Sequence, residues 1–157
     1  MDVEVRVLSR AQIMIKLRKF FLFDLDKVMK IEKVSFPEPW PKTYFEKLYQ
    51  RYPEGFIVAE NGGEIVGYTI GQPKNNGAEI ISLAVNPGWR RKEIGTILTN
   101  SLIDYFKKKG LRKIFLHVRT RNKAGISFYQ NLGFKILKTI KNYYRNGDDA
   151  YLMKRKI

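Results

Sequence analysis

The sequence predicts one α/β domain whose mixed, mostly antiparallel central sheet has about six to seven strands flanked by about four helices. Strand-like and helix-like segments follow in the order strand, two helices, three strands, helix, strand, helix, two strands. The 157 residues, 44% of them hydrophobic, are enough for one compact core. No internal repeat or low-complexity linker divides the sequence, so we expect a single domain.

The first part of the chain contains one predicted strand and two predicted helices. Residues 1–13 include the alternating run VEVRV and fit either an extra strand or a loose arm, so the domain itself is taken as 14–157. A strand is predicted over 14–21. Helical spacing follows over 25–34 and resumes over 44–49, after a loop rich in proline and aromatic residues.

The middle of the chain predicts a meander of three strands. Two apolar runs, 55–60 and 64–71, are joined by Asn61-Gly62-Gly63, residues that tolerate positive φ and therefore predict a hairpin. A third strand, 78–85, ends at Asn86-Pro87-Gly88, which has the composition of a turn.

The last part of the chain alternates helices and strands. Apolar spacing predicts a helix over 94–109 that ends in lysines, which suit the helix dipole, with Gly110 as its C-cap. The remaining elements are a strand at 113–118, a helix at 123–132 between Asn122 and Gly133, and closing strands at 134–141 and 149–154.

Composition restricts the chemistry and the partners. The net charge of +15 and the pI near 10.0 favour an anionic partner, such as nucleic acid, a ribosome or a phosphorylated cofactor, or else describe a solvated lysine-rich surface. The absence of cysteine excludes disulfides, thiolate metal sites and a cysteine nucleophile, and we expect no metal. No apolar run reaches the roughly 20 residues of a membrane span, so we expect a cytoplasmic protein without a membrane partner.

The junction of strand 78–85 and helix 94–109 is the first candidate site. A strand that leads into a helix N-terminus directs backbone N–H groups and the helix dipole to one point, which favours anions. Arg90, Arg91 and Lys92 add positive charge there, and Gly95 would let a pyrophosphate approach the backbone. The alternative is an ordinary basic loop before a helix.

Two segments resemble the signatures of the GNAT acetyltransferases. VNPGWRRKEIGTIL (85–98) is similar to their acetyl-CoA motif, with Arg90 and Gly95 matching and Glu93 in place of a glycine. HVRTRNKAGISFYQNLGF (117–134) is similar to their second hallmark, with Asn122 and Tyr129 matching. The resemblance implies the GNAT fold and acetyl-CoA as donor, with CoA as product. It assigns the cofactor to Leu83, Ala84, Val85, Arg90, Arg91, Lys92, Ile94, Gly95, Thr96 and Asn122.

Three further segments resemble the RimI-like and archaeal protein N-terminal α-acetyltransferases. They are FPEPWP (36–41), LHVRTRN (116–122) and KNYYRNGDDAYLM (141–153). This resemblance implies that the acceptor is the α-amino group of a protein N-terminus, on a ribosomal protein or a nascent chain, with ribosome association possible. A GNAT enzyme acting on lysine or a small amine is the alternative, and a nucleic-acid or ribosome-binding module with a degenerate acetyl-CoA site is a third hypothesis.

The same resemblance assigns roles within the site. Tyr129 would protonate the departing thiolate, and backbone N–H groups at 81–85 would meet the oxyanion. His117, the only histidine, and Glu79 on the neighbouring strand are the candidate bases, since an α-amino group of pKa about 7.7–8.0 demands little of its base. Core packing is the alternative for Tyr129, and a strand position without a catalytic role is the alternative for His117 and Glu79. A groove for the acceptor would consist of Phe36, Trp40, Tyr143 and Tyr144, unless these aromatic side chains cap the core.

Overall fold

The computed structural model describes residues 4–8, 13–90 and 93–157, with side chains from 14–90 and 93–157. Its contacts divide the chain into two compact units. The first unit contains the chain up to Gly71 together with Ser82–Leu102. The second unit contains Gln72–Ile81 and Ile103–Ile157.

Eight strands and four α-helices make up the described chain. The strands are β1 (Glu4–Leu8), β2 (Ile13–Lys19), β3 (Phe56–Asn61), β4 (Glu64–Lys74), β5 (Gly77–Val85), β6 (Lys113–Arg119), β7 (Lys135–Ile140) and β8 (Ala150–Lys156). The helices are α1 (Leu25–Ser35), α2 (Lys42–Arg51), α3 (Ile94–Lys108) and α4 (Lys123–Asn131). No helix among the described residues is long and apolar enough to cross a membrane.

The hydrogen-bonded strand order is β1-β2-β3-β4-β5-β6-β8-β7. The pairs β1/β2, β2/β3, β3/β4, β6/β8 and β7/β8 are antiparallel, and β5/β6 is parallel. The predicted mixed, mostly antiparallel sheet with four helices is therefore confirmed. The sheet has one more edge strand, β1, which pairs with β2. It lies within residues 1–13, for which the sequence allowed either an extra strand or a loose arm.

In the first unit, apolar side chains pack in the core on both faces of β3. Phe56, Ile57, Val58 and Ala59 are all fully buried, and the Phe56 ring stacks on Phe20 with ring centroids 3.7 Å apart. α1 and α2 bury the apolar stripes that their spacing predicts, including Val28 and Leu48. α3 begins with the buried side chain of Ile94, followed one turn later by Leu98.

In the second unit, β6 has a strictly alternating burial pattern. Ile114, Leu116 and Val118 are buried, while the intervening side chains are half-buried on the opposite face. Gly77 lets β5 begin close beside β6, because a Cβ there would lie 2.9 Å from the Lys113 carbonyl oxygen. His117, the candidate base, therefore lies on the half-buried face of β6.

Candidate active site

The parallel pairing of β5 with β6 aligns the two candidate bases in the second unit. Glu79 pairs with Phe115, two residues before His117 on the same face of β6. The Glu79 carboxylate forms an ion pair with Lys74, Oε2 to Nζ 3.0 Å, and it interacts electrostatically with His117. The second unit therefore brings these two predicted residues together, with Lys74 beside them.

The half-buried His117 imidazole favours its neutral form. Burial lowers the pKa of His117 below its usual 6.5; Glu79 opposes this shift and Lys74 adds to it. The neutral ring is the form that can accept a proton. At neutral pH His117 is therefore available as a base without prior deprotonation.

Aromatic side chains of the β7–β8 loop cover His117. The Tyr143 ring stacks on the imidazole with centroids 4.5 Å apart and planes 10° apart, and it meets Tyr144 edge-on at 4.9 Å. Tyr143 remains 43% exposed. One of the four predicted acceptor-groove residues, Tyr143, thus lies against the candidate base, and a second, Tyr144, packs on Tyr143.

Arg119 fixes the same loop from β6. Its guanidinium lies 3.8 Å from the centroid of the Tyr144 ring and donates to Asp148 at 2.8 Å and to Asn146 at 3.0 Å. Asp148 also pairs with Arg121 at 3.4 Å. The Arg119 contacts were not predicted from the sequence, although the two positive charges flanking Thr120 and the two carboxylates at 148–149 were a signal.

Tyr129 on α4 is half-buried and packs edge-on against Phe128 and Phe134. Burial raises the pKa of the Tyr129 phenol, and Tyr144 contributes in the same direction. A phenol in this environment keeps its proton at neutral pH, which a proton donor must do. Its ring also packs against the buried side chain of Phe134, so the packing role and the proton-donor role that the sequence offered are both compatible with this environment.

Asn122 is the N-cap of α4. Its Oδ1 accepts from the Gly125 N–H at 2.9 Å. A Cβ on Gly125 would lie 2.5 Å from Asn122 Nδ2, so any side chain there would displace the Asn122 amide from its capping position. The predicted cofactor contact of Asn122 is therefore accompanied by a local structural role for its oxygen.

In the first unit, the end of β5 presents alternate residues to opposite faces. Ala84 is buried, whereas Leu83 and Val85 are half-buried. The turn after β5 is held by the Asn86 N–H, which donates to the Val66 carbonyl at 2.8 Å. Leu83 and Val85 are thus the more accessible side chains of this predicted cofactor strand.

Arg90, the first arginine of the turn between β5 and α3, forms two hydrogen bonds within the protein. Arg90 Nε donates to the Val85 carbonyl at 3.0 Å, and Nη2 donates to Ser35 Oγ at 3.2 Å. The side chain is exposed, so its remaining donors can meet an anion. Arg91 and Lys92 lie outside the described residues.

Glu93 has a left-handed backbone, with φ of 65°. That conformation favours glycine, which explains why a glycine at this position would suit the motif. The Glu93 side chain is exposed, and its carbonyl accepts from the Ile97 N–H at 3.0 Å at the start of α3. Gly95 and Thr96 belong to the first helical turn, whose N–H groups have no partner within a helix.

The proline-rich loop of the first unit is held by a buried cluster that sequence reasoning missed. The Glu32 carboxylate accepts from the Tyr68 hydroxyl at 2.5 Å and from Ser82 Oγ at 3.3 Å, and it also accepts from the Trp40 backbone N–H. Burial raises the pKa of Glu32 above its usual value. A glutamate on the apolar stripe of α1, one turn after Val28, was the available signal.

The two predicted acceptor residues of this loop differ in exposure. Phe36 is half-buried, and its N–H donates to the Glu32 carbonyl at 3.2 Å at the end of α1. Trp40 is 42% exposed and packs on Tyr44 with ring centroids 4.4 Å apart. The Trp40 ring is therefore available to a ligand while its backbone is anchored through Glu32.

An open cleft of about 710 Å³ lies elsewhere in the first unit. Lys27, Lys30, Val34 and the Gly62-Gly63 turn are among its lining residues. None of the predicted site residues is among those lining residues, although Asn86 and Pro87 of the turn after β5 are. The described side chains include no group of three or more His, Asp or Glu residues that could hold a metal ion.

The fold and these motifs agree with a family comparison. Residues 25–134 match the acetyltransferase (GNAT) family. The chain belongs to this family, and it is an N-acetyltransferase by its relatives.

The similarity extends over nearly the whole chain. The chain is 32% identical over 151 residues to an N-alpha-acetyltransferase of Sulfurisphaera tokodaii, and the alignment covers 88% of this chain and 90% of that one. The solved ribosomal-protein-S18-alanine N-acetyltransferase of Escherichia coli superposes with a TM-score of 0.81 at 28% identity, covering 92% and 94%. Arabidopsis thaliana Naa50, solved with the bisubstrate analogue CoA-Ac-MVNAL, gives a TM-score of 0.81 at 28% identity, covering 91% and 99%. The predicted resemblance to the RimI-like and archaeal branch is confirmed.

Proposed function

We propose that this chain transfers the acetyl group of acetyl-CoA to the α-amino group of a protein N-terminus. The observation that carries the proposal is the His117 imidazole, kept neutral by burial, stacked on Tyr143 and placed beside Glu79. The similarity to N-terminal acetyltransferases supports the same acceptor class. A ribosomal protein or nascent chain is the acceptor we expect, in the cytoplasm and in association with ribosomes.

The lowered pKa of His117 favours an α-amine over a lysine side chain. At pH 7.5 roughly a third of α-amino groups of pKa about 7.8 are already neutral, against roughly one in a thousand lysine side chains of pKa 10.4. A base with a pKa below 6.5 is matched to the first task and poorly matched to the second. The basicity of the site thus supports an N-terminal acceptor.

Several groups of the first unit fit a CoA ligand. The N–H groups of the first turn of α3, the exposed guanidinium of Arg90 and the absence of a side chain at Gly95 suit a pyrophosphate. Leu83 and Val85 present half-buried apolar side chains for the pantetheine arm. Acetyl-CoA would supply the activated thioester carbonyl.

The remaining steps belong to side chains of the second unit. His117 would take one proton from the α-ammonium, directly or through water, so that the nitrogen can form the C–N bond. Tyr129 would donate its phenolic proton to the sulfur as the C–S bond breaks. Tyr129 is suited to this role because burial keeps its phenol protonated until a stronger base forms beside it. The second proton of the nitrogen, released as the amide forms, would return to the Tyr129 phenolate, directly or through water. Backbone N–H groups at 81–85 are the proposed donors to the carbonyl oxygen.

The test is a matched peptide assay. The purified protein is incubated with acetyl-CoA and two versions of one lysine-containing peptide, one with a free N-terminus and one with a blocked N-terminus, and products are mapped by mass spectrometry. We expect α-acetylation of the free peptide only. Acetylation of the lysine in both versions, or of small amines alone, would contradict the proposal.

A further inference from the structure

One face of the sheet in the second unit is rich in lysine. Phe115 on β6 pairs with Lys154 on β8, and Lys154 pairs with Lys135 on the edge strand β7. Lys113 and Lys156 form the next pair of the same ladder. Directly paired residues share a face, and residues two apart on one strand also share it. The four lysines around Phe115 are called the lysine face: Lys113, Lys135, Lys154 and Lys156.

The lysine face places like charges directly opposite each other. Lys113 is paired with Lys156, and Lys154 is paired with Lys135, so side chains of the same charge begin about 5 Å apart. Like charges in this arrangement are destabilising. Within the described ranges no carboxylate forms an ion pair with any of the four. An anionic ligand would relieve this repulsion.

The aromatic side chain at the centre of the lysine face distinguishes between anionic ligands. The Lys113 and Lys154 ammonium groups lie 5.5 Å and 5.9 Å from the centroid of the Phe115 ring. Proteins that bind single-stranded nucleic acid stack bases on open aromatic rings. With two ammonium groups over it, the Phe115 ring is poorly placed for stacking, so carboxylates suit this surface better than nucleotides do.

The lysine face begins beside the candidate base. His117 lies on the same face of β6 as Phe115 and Lys113, and two residues of a strand span about 6.6 Å. An extended peptide has the same period, so alternate side chains can meet successive pairs of the sheet. A chain whose amino group reaches His117 can therefore place later side chains over the lysines.

We propose that the lysine face binds acidic side chains of the acceptor polypeptide, about three to six residues after its N-terminus. This inference rests on the proposed N-terminal acetylation and adds a substrate class to it. Glu79 does not oppose such a ligand, because its carboxylate is paired with Lys74. The surface would select acceptors by charge at positions beyond the first residues, next to the Tyr143 ring that stacks on His117.

The first experiment compares three peptides that share their first two residues. Positions three to six contain only neutral residues in the first peptide, two aspartates in the second peptide and two lysines in the third peptide. We expect the acidic peptide to have a KM about fivefold lower than the neutral one at similar kcat, and the lysine peptide a higher KM. The preference should shrink at about 0.5 M salt, because ions screen exposed charges.

A charge-matched pair of variants locates the effect. The double variant Lys113→Gln, Lys154→Gln should acetylate the acidic peptide no better than the neutral one. The control, Lys107→Gln with Lys108→Gln, removes two exposed charges from the end of α3 and should keep the wild-type preference. An acidic preference that persists in the Lys113→Gln, Lys154→Gln protein would overturn the proposal.

Other outcomes separate this inference from the proposed function. Acetylation of all three peptides at equal KM by the wild-type protein would contradict the lysine face alone. Failure to acetylate any N-terminus would remove the proposed function and the inference with it. Binding of a fluorescent single-stranded RNA that is lost in the double variant, without a peptide preference, would assign the surface to nucleic acid and overturn the proposal.

Discussion

Ionisable side chains of the two units differ in burial and in hydrogen bonding. In the first unit Glu32 is 1% exposed, and its carboxylate accepts hydrogen bonds from Tyr68, Ser82 and the Trp40 backbone. In the second unit Glu79 and His117 are only half-buried, and their neighbours are a lysine and an aromatic ring. Fully satisfied hydrogen bonds fix a structure, whereas accessible titratable groups can exchange protons with a ligand.

Burial raises the pKa of the acidic groups and lowers that of the histidine for one reason. Removal from water disfavours the charged form, so it raises the pKa of Glu32 and of Tyr129 and lowers the pKa of His117. For Glu32 the hydrogen bonds from Tyr68, Ser82 and the Trp40 backbone oppose this shift, and burial outweighs them. For His117 and Tyr129 the result is a neutral imidazole and a protonated phenol, the forms that the proposed base and the proposed acid need.

The largest expected effect tests Tyr129, the proposed acid of the second unit. Tyr129→Phe keeps the ring that packs on Phe128 and Phe134 but removes the phenolic proton. We expect kcat to fall by about 10² to 10⁴, since a positioned general acid contributes that much. Acetyl-CoA affinity, measured by calorimetry, should change little. Unaltered turnover would show that the tyrosine has only a packing role.

The next effect tests the buried carboxylate of the first unit. Glu32→Ala should lower the free energy of unfolding by about 3 kcal/mol, because the Tyr68 hydroxyl and the Trp40 N–H lose a buried acceptor. Glu32→Gln, which resembles the protonated acid, should stay within about 1 kcal/mol of the wild type at pH 7. Urea denaturation measures both.

The same pair of proteins has a characteristic pH dependence. Because the folded-state pKa of Glu32 is raised above 4.5, the folded protein binds the proton more tightly, and wild-type stability contains a contribution that is lost as pH rises from 4.5 through the folded pKa. Glu32→Gln should lack this dependence. Parallel stability curves for the two proteins would count against a raised pKa.

A moderate effect is expected at His117, the proposed base of the second unit. His117→Gln should lower kcat/KM by about tenfold at pH 7, a small loss because α-amino groups are partly neutral already.

The pH–rate profile of the wild type should have an acidic limb below pH 6.5 that is due to His117, since activity is lost as pH falls through the lowered pKa. Lys74→Gln should move that limb up and Glu79→Gln should move it down, because Lys74 lowers this pKa and Glu79 raises it. Identical pH–rate profiles in the wild type, Lys74→Gln and Glu79→Gln would exclude His117 as the base.

The smallest effect concerns the turn before α3. Glu93→Gly should increase the free energy of unfolding by about 1 kcal/mol, because glycine adopts a φ of 65° without strain. The same change should tighten acetyl-CoA binding, since it removes a carboxylate from a site that favours anions. Glu93→Gln is the control that removes the charge and keeps the strain. Weaker cofactor binding in the glycine variant would assign a positive role to the carboxylate.

Local sequence patterns determined the elements, and with them much of the candidate site. Gly110 and Gly133 follow α3 and α4 with φ of 85° and 89°, and Asn122 caps α4, as their positions in the sequence predicted. Such signals depend on interactions within about four residues, so they are visible in one sequence. The family motifs then placed Tyr129, His117 and Glu79 on the predicted helix and strands.

Only the tertiary structure decided which distant residues meet. The hydrogen bonds from Tyr68 and Ser82 to Glu32, the stack of Tyr143 on His117 and the ion pair of Lys74 with Glu79 all depend on how separate segments pack and pair. The lysine face is the clearest case, because the sequence scatters its members over more than 40 residues and strand register makes them neighbours. A shift of one residue in register would move each side chain to the other face, so no local pattern could specify that surface.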